Sequence, residues 1–208
     1  MTYLTENWDV VLRLTWEHLY LTGLVLITAV ALAVPLGVVL AHFRRATTPA
    51  LGLLGVVYTI PSMALFALLI PVTGLGTKTA ATALVAYSQY ILVRNTVAGL
   101  RGVDPAVEEA ARGMGMTGWQ MLREVRLPLA LPVILAGVRV AAVTVIGMAS
   151  LAAWINAGGL GVLLFQGLYQ YHPVKMWTGT VLIGAIALAV NRVLLILETK
   201  ARHWAGAG

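Results

Sequence analysis

Residues 19–41 read LYLTGLVLITAVALAVPLGVVLA and contain no charged side chain. This stretch is long enough to cross a bilayer as an α-helix, because a spanning helix takes roughly 20 apolar residues. His42, Arg44 and Arg45 follow it directly and end the uncharged segment. We therefore predict a first transmembrane helix at Leu19–Ala41, which places the chain among the all-α integral membrane proteins.

The composition of the whole chain agrees with a membrane location. Of its 208 residues, 60% are hydrophobic and 11% are charged, and the mean hydropathy is +0.88. Soluble domains carry about 25% charged residues, so this composition excludes an ordinary cytosolic enzyme. The chain has no Cys, which excludes disulfides and thiolate chemistry. We attribute the net charge of +6 to basic cytoplasmic loops rather than to nucleic-acid binding.

The rest of the chain holds further apolar stretches of similar length. We predict four more spans, at Ala50–Val72, Gly76–Thr96, Leu129–Ala153 and Met176–Leu197. Pro61 interrupts the second span, and the third has few uncharged residues for a bilayer crossing. The apolar stretch that ends at Tyr171 has only about ten residues, so it fits a re-entrant or interfacial helix. The fold is thus a bundle of about five core spans.

The residues before the first span are predicted to form an extracytoplasmic or interfacial segment. This divides the chain into residues 1–18 and a transmembrane domain at 19–208. Acidic residues outnumber Arg13 here, so the basic start of a secretory signal is missing. Apolar residues at helical spacing favour an interfacial amphipathic helix, and a poorly ordered leader is the alternative.

The distribution of Lys and Arg predicts the orientation. With five spans, ten of the 14 basic residues lie in loops on one side and three on the other, while Arg139 lies within a span. Positive residues concentrate in cytoplasmic loops. We therefore expect a multi-pass protein of the cytoplasmic (inner) membrane, with its N-terminus outside and its C-terminus in the cytoplasm. The charged loop at 97–128 is then cytoplasmic.

This cytoplasmic loop carries signals for two short helices. Asp104-Pro105 is typical of a helix start, with an N-cap acceptor followed by Pro at the first helical position. Gly113 and Gly115 can supply a left-handed stop. The exposed face of this first helix is predicted to combine Glu109 with the small side chains of Ala110 and Ala111. An ion pair between Glu109 and Arg112 is the alternative use of that carboxylate.

A second helix is predicted after the glycine turn. Thr117 and Gln120 have the spacing of a capping box, in which each side chain bonds the other residue's backbone N–H. We expect this helix to run to about Arg126 and to stop before Leu127-Pro128.

The same loop resembles a known signature. Glu109-Ala110-Ala111, then Gly115, then Val125-Arg126-Leu127-Pro128 are similar, in type and spacing, to the "EAA" motif of ABC importer permeases. Further segments resemble the osmoprotectant branch of that family: Arg94–Thr96, Gly102–Pro105, Ala110–Met116, Leu127–Pro132 and Ala157–Gly161. Trp154-Ile155-Asn156 departs from the Phe-Ile-Gly of many relatives.

The resemblance implies a type I ABC importer permease fold with a cytoplasmic coupling helix that docks on an ATPase subunit. The implied coupling residues are Glu109, Ala110, Ala111, Gly113, Gly115, Met116, Val125, Leu127 and Pro128. The implied partners are an ATPase dimer, a second permease chain (identical or a close paralogue) and an extracytoplasmic substrate-binding protein. This chain itself is expected to bind no cofactor, with ATP and Mg on the ATPase. The implied cargo is a compatible solute such as glycine betaine, carnitine or choline.

Candidate residues for the pathway and outer gate come from the apolar segments and the glycine-rich loop. They are Tyr58, Pro61, Ser62, Tyr87, Ser150, Asn156, Gly158 and Gly159. Aromatic rings can bind a quaternary ammonium by cation–π attraction, but interfacial and core aromatics look the same in sequence. The glycines either shape a gate or form a plain loop.

Other chemistry is less well supported. Residues 74–79, GLGTKT, lack the Gly before Lys that a phosphate-binding loop requires. The four His share no metal spacing and are assigned to loops or span ends, so no catalytic or metal site is predicted. Arg139 serves either a functional or a structural role within its span. The remaining alternatives are a permease for methionine or a sulfonate, and an ATP-independent channel or secondary transporter.

Overall fold

Helices account for most of residues 7–204, the part of the chain that this computed structural model describes. The helices are α1 (Trp8–His42), α2 (Arg44–Thr59), α3 (Ser62–Thr73), α4 (Thr77–Arg101), α5 (Pro105–Gly113), α6 (Gly118–Ala149), α7 (Gly161–Tyr169) and α8 (Pro173–Trp204). A 3₁₀ turn, Leu151–Ile155, follows α6. The structure is therefore all-α within these residues, as predicted.

The central helix of the bundle is α4, which packs against α1, α2, α3 and α6. By length and apolar composition alone, α1, α6 and α8 qualify as membrane spans, and the pair α2–α3 makes a fourth if it is counted as one. α4 contains the predicted third span except for Gly76, which precedes the helix. It carries polar side chains such as Gln89, which donates to the carbonyl of Ala29 in α1 over 3.3 Å. Neighbouring helices rather than lipid surround much of α4, so its sequence can be less apolar than that of the other spans.

The predicted second span consists of two helices, α2 and α3, separated at the predicted interruption. α2 and α3 meet at an angle of 97°. The break lies at Ile60 and Pro61, where Ile60 has an extended backbone with ψ of 129°. The ring of a proline disfavours helical geometry in the residue before it. The hydroxyl of Tyr87 donates to the freed carbonyl of Ile60. The predicted interruption of the Ala50–Val72 span at Pro61 is therefore confirmed.

The first helix is longer than predicted. α1 begins at Trp8 and continues through residue 18 without interruption, so the expected boundary between residues 18 and 19 does not appear. Val11 and Leu14 are buried and pack in one apolar cluster with Leu160 and Leu163. This contact with the bundle holds the segment as part of α1 rather than as a separate interfacial helix. Residues 1–6 lie outside the described part of the chain.

α6 also contradicts a predicted boundary. The second cytoplasmic helix was expected to stop before Leu127-Pro128, yet α6 runs from Gly118 to Ala149. Met121–Arg126 within it form a π-helical stretch. A proline ring clashes with the carbonyl four residues earlier in an α-helix, and a wider π turn is a common local adjustment. The helix also ends at Ala149, four residues before the predicted end of the fourth span.

The last part of the chain agrees more closely with the sequence. α7 has nine residues, as expected for the short apolar stretch before Tyr171. α8 contains the predicted fifth span but extends beyond it at both ends.

Arg139 has a structural partner. Its Nε donates to Oε2 of Glu198 in α8 over 2.9 Å, and its Nη1 donates to Oδ1 of Asn191 over 3.4 Å. Glu198 is 4% exposed and also accepts from Arg202 over 3.1 Å. The arrangement supports the structural alternative for Arg139, because both ends of the pair serve to fix α6 against α8.

Candidate functional site: the coupling helices and the outer loop

The start of α5 follows the sequence signal. The backbone N–H of Ala106 donates to Oδ1 of Asp104 over 2.8 Å, and Pro105 occupies the first helical turn. This cap satisfies one of the backbone donors that a helix start leaves free. The predicted N-cap is confirmed.

The turn between α5 and α6 is also built as the sequence indicates. Gly115 has φ of +78°, a left-handed conformation that favours glycine, whereas Gly113 is the last residue of α5 and has no positive φ. The N–H of Thr117 donates to Oε1 of Gln120 over 2.9 Å, and the N–H of Gln120 donates back to Oγ1 of Thr117 over 3.3 Å. The capping box is confirmed. Of the two predicted stop glycines, only Gly115 adopts the left-handed geometry.

The outward face of α5 differs in one residue from the prediction. Glu109 and Ala110 are exposed, but Ala111 is 2% exposed and faces the rest of the chain. Ala111 therefore cannot form part of an exposed docking surface, and its small side chain instead lets α5 lie close to its own bundle. Met114 and Trp119 are exposed at 72% and 68%, and the sequence analysis missed both. Both could have been identified in the sequence as large apolar residues in an otherwise charged loop.

The carboxylate that braces α5 is Glu108, not Glu109. Oε1 of Glu108 lies 2.6 Å from Nε of Arg126, and Oε2 lies 3.6 Å from Nη2 of Arg112. The alternative prediction, an ion pair between Glu109 and Arg112, is therefore wrong. Glu109 forms no ion pair or side-chain hydrogen bond within residues 7–204. The arrangement ties α5 to the start of α6 and leaves the Glu109 carboxylate available to a partner.

The other predicted coupling residues lie in the turn after α5 and in α6. The N–H of Met116 donates to the carbonyl of Ala111 over 3.2 Å, which closes the turn after α5. Val125 and Pro128 line an apolar groove between α6 and the end of α8, beside Trp204. Leu127 packs with Leu100, Ala130 and Ile134 in the cluster beneath the coupling helices.

A second structured region lies at the opposite end of α6. Asn156 is exposed with φ of +63°, and Gly158 and Gly159 have φ of +76° and +77°. The N–H of Gly159 donates to Oε2 of Glu17 in α1 over 3.0 Å. A Cβ on Gly158 would lie 2.4 Å from the same oxygen. These contacts favour a specifically folded turn over a plain loop.

Ser150 and Gly161 close this turn. A Cβ on Gly161 would lie 1.8 Å from the carbonyl oxygen of Ser150, so only glycine fits. The hydroxyl of Ser150 donates to the carbonyl of Gly147 over 2.7 Å. The N–H of Gly76 donates to the carbonyl of Ile155 over 2.8 Å, which joins the turn before α4 to the same region. We refer to residues 156–161 as the outer loop.

His18 is a functional candidate that lies inside α1 rather than in a loop or at a span end as predicted. It is fully buried within α1, and its Nε2 donates to the carbonyl of Ile146 in α6 over 3.1 Å. Its Nδ1 has no hydrogen-bond partner. Gly159 packs directly on it, since a Cβ there would lie 3.1 Å from Nδ1. In the sequence His18 is a single polar residue beside an apolar stretch, and this pattern does not indicate that it is buried.

The tyrosines gather at the break between α2 and α3. The ring of Tyr58 lies 5.3 Å from that of Tyr90 and 6.1 Å from that of Tyr87, measured between centroids. Tyr87 is buried, whereas Tyr58 is 39% exposed. Pro61 and Ser62 follow at the break itself. The predicted pathway residues thus form two groups, this aromatic cluster and the outer loop, and one apolar core includes both Tyr87 and Ala157.

Within residues 7–204 there is no group of three or more His, Asp or Glu side chains that could hold a metal ion. Residues 74–76 form the turn before α4, and the Thr79 hydroxyl in the first turn of α4 donates to the carbonyl of Gly74.

Comparison with solved structures defines the fold. The chain superimposes on a chain of the MetNI methionine ABC transporter with a TM-score of 0.84, at 23% identity, covering 94% of this chain and 98% of that one. A chain of an amino acid ABC transporter with histidines gives a TM-score of 0.72 at 20% identity, covering 96% and 97%. The fold is that of type I ABC importer permeases.

The sequence then gives the family. Residues 33–203 match the binding-protein-dependent transport system inner membrane component, and the chain belongs to this family. It is 39% identical over 200 residues to the glycine betaine/carnitine/choline transport system permease protein OpuCB of Bacillus subtilis (strain 168), covering 96% of this chain and 92% of the relative. It is 41% identical over 201 residues to the osmoprotectant import permease protein OsmW of Salmonella typhimurium, covering 94% of each. The chain is a membrane permease subunit of the osmoprotectant branch, as its resemblance implied.

Proposed function

We propose that this chain forms the translocation pathway of an ATP-driven importer for a compatible solute such as glycine betaine, carnitine or choline. The names of the relatives, at 39–41% identity over most of the chain, support this cargo class. The observation that carries the mechanism is the geometry of α5. It is a capped helix braced by Glu108 on Arg126, and it presents an unpaired Glu109 outward.

Coupling follows from this geometry. α5 docks in a groove of a cytoplasmic ATPase subunit, with Glu109 facing a basic residue and Ala110 allowing close approach. ATP and Mg bind to that ATPase and not to this chain. Movement of the ATPase reaches the membrane through α6, since α6 continues from the coupling turn into the bundle. A rigid helix transmits rigid-body motion that a floppy loop would absorb.

The pathway is completed by a second permease chain, identical or closely related, because one such bundle is thin for a solute channel. The N-terminal end of α1 and the outer loop face outward and receive the solute from a binding protein. The coupling helices and the C-terminus face the cytoplasm, an orientation that the ten-to-three distribution of basic residues supports. The outer loop is the candidate gate, because Gly158 and Gly159 allow backbone packing on Glu17 and His18 that other residues would block.

Reconstitution of the complete importer tests the coupling. Glu109→Gln and Ala110→Leu should each lower solute-stimulated ATP hydrolysis and uptake severalfold while leaving the permease folded, since both side chains are exposed. Glu124→Gln is the matched control, because it removes another exposed carboxylate near the same end of the bundle. Unchanged coupling in both variants would contradict the docking role. Uptake into vesicles without ATP would favour a channel or secondary transporter.

The cargo is tested separately from the coupling. Equilibrium binding to the partner binding protein should show glycine betaine, carnitine or choline bound in preference to methionine or a sulfonate. Preference for methionine or a sulfonate would keep the permease assignment and overturn the osmoprotectant cargo.

A further inference from the structure

A large cavity lies behind the coupling helices. It has a volume of about 800 Å³ and is bounded by the ends of α1 and α4 and by the starts of α2, α5 and α6. Charged residues on its wall are Arg44, Arg101, Arg112, Arg126 and Glu108, and His42 lies beside them. The volume is within the range of small-molecule sites, about 300–1,000 Å³. The orientation proposed above places the cavity at the cytoplasmic surface of the membrane.

The charges of this cavity are unbalanced. Among its lining residues Glu108 is the one acid, against four arginines. Glu108 already shares its carboxylate between Arg126 and Arg112. The lining therefore has a formal charge of +3 before any contribution from His42. Arginines held close together without enough carboxylates attract anions into such a cleft.

Two of the arginines keep donors available. Arg101 donates from Nε and Nη2 to the carbonyls of Ala41 and Leu40 and to the hydroxyl of Thr47, and its Nη1 makes no such bond. These bonds fix the guanidinium at the end of α1. Arg44 makes no ion pair or side-chain hydrogen bond within residues 7–204. The site thus combines one pre-positioned guanidinium with one that is free to turn toward a ligand.

We propose that this cavity binds a phosphate-bearing anion. Guanidinium groups match phosphate oxygens with paired, charge-assisted hydrogen bonds. A soluble cytoplasmic phosphate compound and the headgroup of an anionic phospholipid share this chemistry, and the cavity lies where both are present. The ligand's contacts are with Arg44, Arg101 and Arg112. This site is distinct from the outward face of α5 that is proposed to meet the ATPase, and the binding does not depend on the cargo.

Binding here would affect the brace between α5 and α6. An anion that takes Arg112 competes with Glu108 for that arginine and leaves the Glu108 carboxylate to its other partner, Arg126. Because linkage is reciprocal, removal of the Glu108 carboxylate must strengthen binding of the anion. A gain in affinity would identify a specific site, because a misfolded variant would bind the anion less tightly.

Binding is measured on the full chain in nanodiscs of neutral phosphatidylcholine, titrated with inorganic pyrophosphate by calorimetry. Arg44→Gln and Arg112→Gln should each weaken binding about tenfold, because each removes charge-assisted hydrogen bonds. Glu108→Gln should tighten binding severalfold. Arg123→Gln is the matched control: it removes an exposed arginine of α6 that is not on the cavity wall, and it should bind like the parent chain.

A second arm separates the two sources of phosphate. Native mass spectrometry counts phosphatidylglycerol retained by the chain after extraction from mixed phosphatidylglycerol–phosphatidylcholine vesicles. Retention that falls in Arg44→Gln and Arg112→Gln but not in Arg123→Gln supports the site with a lipid as its ligand, even if pyrophosphate does not bind. The proposal is overturned if neither probe binds, or if binding is the same in the cavity variants and the control.

Discussion

The Nε of Arg139 lies 2.9 Å from Oε2 of Glu198, and this ion pair joins α6 to α8. The Glu198 side chain is 5% exposed, whereas its second partner, Arg202, is 54% exposed. Two cations therefore share one buried carboxylate, but they lie in different environments. The helix that begins at the coupling turn is held to the last helix of the chain by a charge that has little access to water.

Loss of the Glu198 carboxylate should be severe. Glu198→Ala leaves Arg139 without its carboxylate, and removal of one partner of a buried pair costs about 3–5 kcal/mol in the free energy of unfolding. Chemical unfolding of the purified chain measures this change. Arg202→Gln is the control, with an expected loss of about 0–1 kcal/mol because that arginine is largely exposed. Equal losses in the two variants would show that burial does not set the strength of these pairs.

The brace between Glu108 and Arg126 should be measurable by a double-mutant cycle. Glu108→Gln, Arg126→Gln and the double variant are expected to give a coupling energy of about 1–2 kcal/mol, since the pair is short and partly buried. The same cycle with Arg112 should give less than about 0.5 kcal/mol, because that pair is longer and its arginine is exposed. A larger coupling with Arg112 would mean that Glu108 serves α5 alone rather than joining it to α6.

Gly161 should tolerate no side chain. In Gly161→Ala the new Cβ would overlap the Ser150 carbonyl oxygen, so the outer loop must shift, at a cost of about 3 kcal/mol. Gly147→Ala in α6 meets nothing within 4 Å. It should stabilise the helix by about 0.5–1 kcal/mol. Thermal unfolding of both variants checks the contrast, and an unaffected Gly161→Ala would show that the turn does not need the close approach.

The hydrogen bond from Gly159 to Glu17 should protect the outer loop from exchange. Glu17→Ala removes the acceptor for the Gly159 N–H, so amide hydrogen exchange across 156–160 should rise by about tenfold or more. Arg13→Gln is the control, because Arg13 contacts Glu17 over 3.8 Å at an exposed position. Faster exchange in both variants would indicate that the ion pair, and not the backbone bond, orders the loop.

The sequence predicted local features of the coupling segment well. The cap at Asp104, the box of Thr117 and Gln120 and the left-handed Gly115 depend on residues within three positions of each other, so their geometry is encoded locally. The membrane class and the family motif also follow from the sequence alone, because the first depends on the length of apolar stretches and the second on residue types at fixed spacing.

Features that depend on tertiary contacts were not predictable in the same way. Glu108 rather than Glu109 forms the brace, because Arg126 reaches it from 18 residues away. His18 is buried because α6 supplies the Ile146 carbonyl from 128 residues away. The continuation of α6 through Pro128 contradicts a good local stop signal, and packing against α4 and α8 accompanies it. Local pattern sets which helices form, whereas packing decides where they end and which charges meet.

The continuity of α6 has a mechanical consequence. Its 32 residues make a rod of about 48 Å at 1.5 Å per residue. Tilted as one body by about 5° around Arg139, this rod moves its Gly118 end, about 32 Å away, by about 3 Å and its Ala149 end, about 15 Å away, by about 1 Å in the opposite direction. The Arg139–Glu198 ion pair then acts as the pivot of this tilt. A small displacement beside Glu108 at one surface of the membrane therefore moves Ser150, and the turn that packs on it, at the other surface.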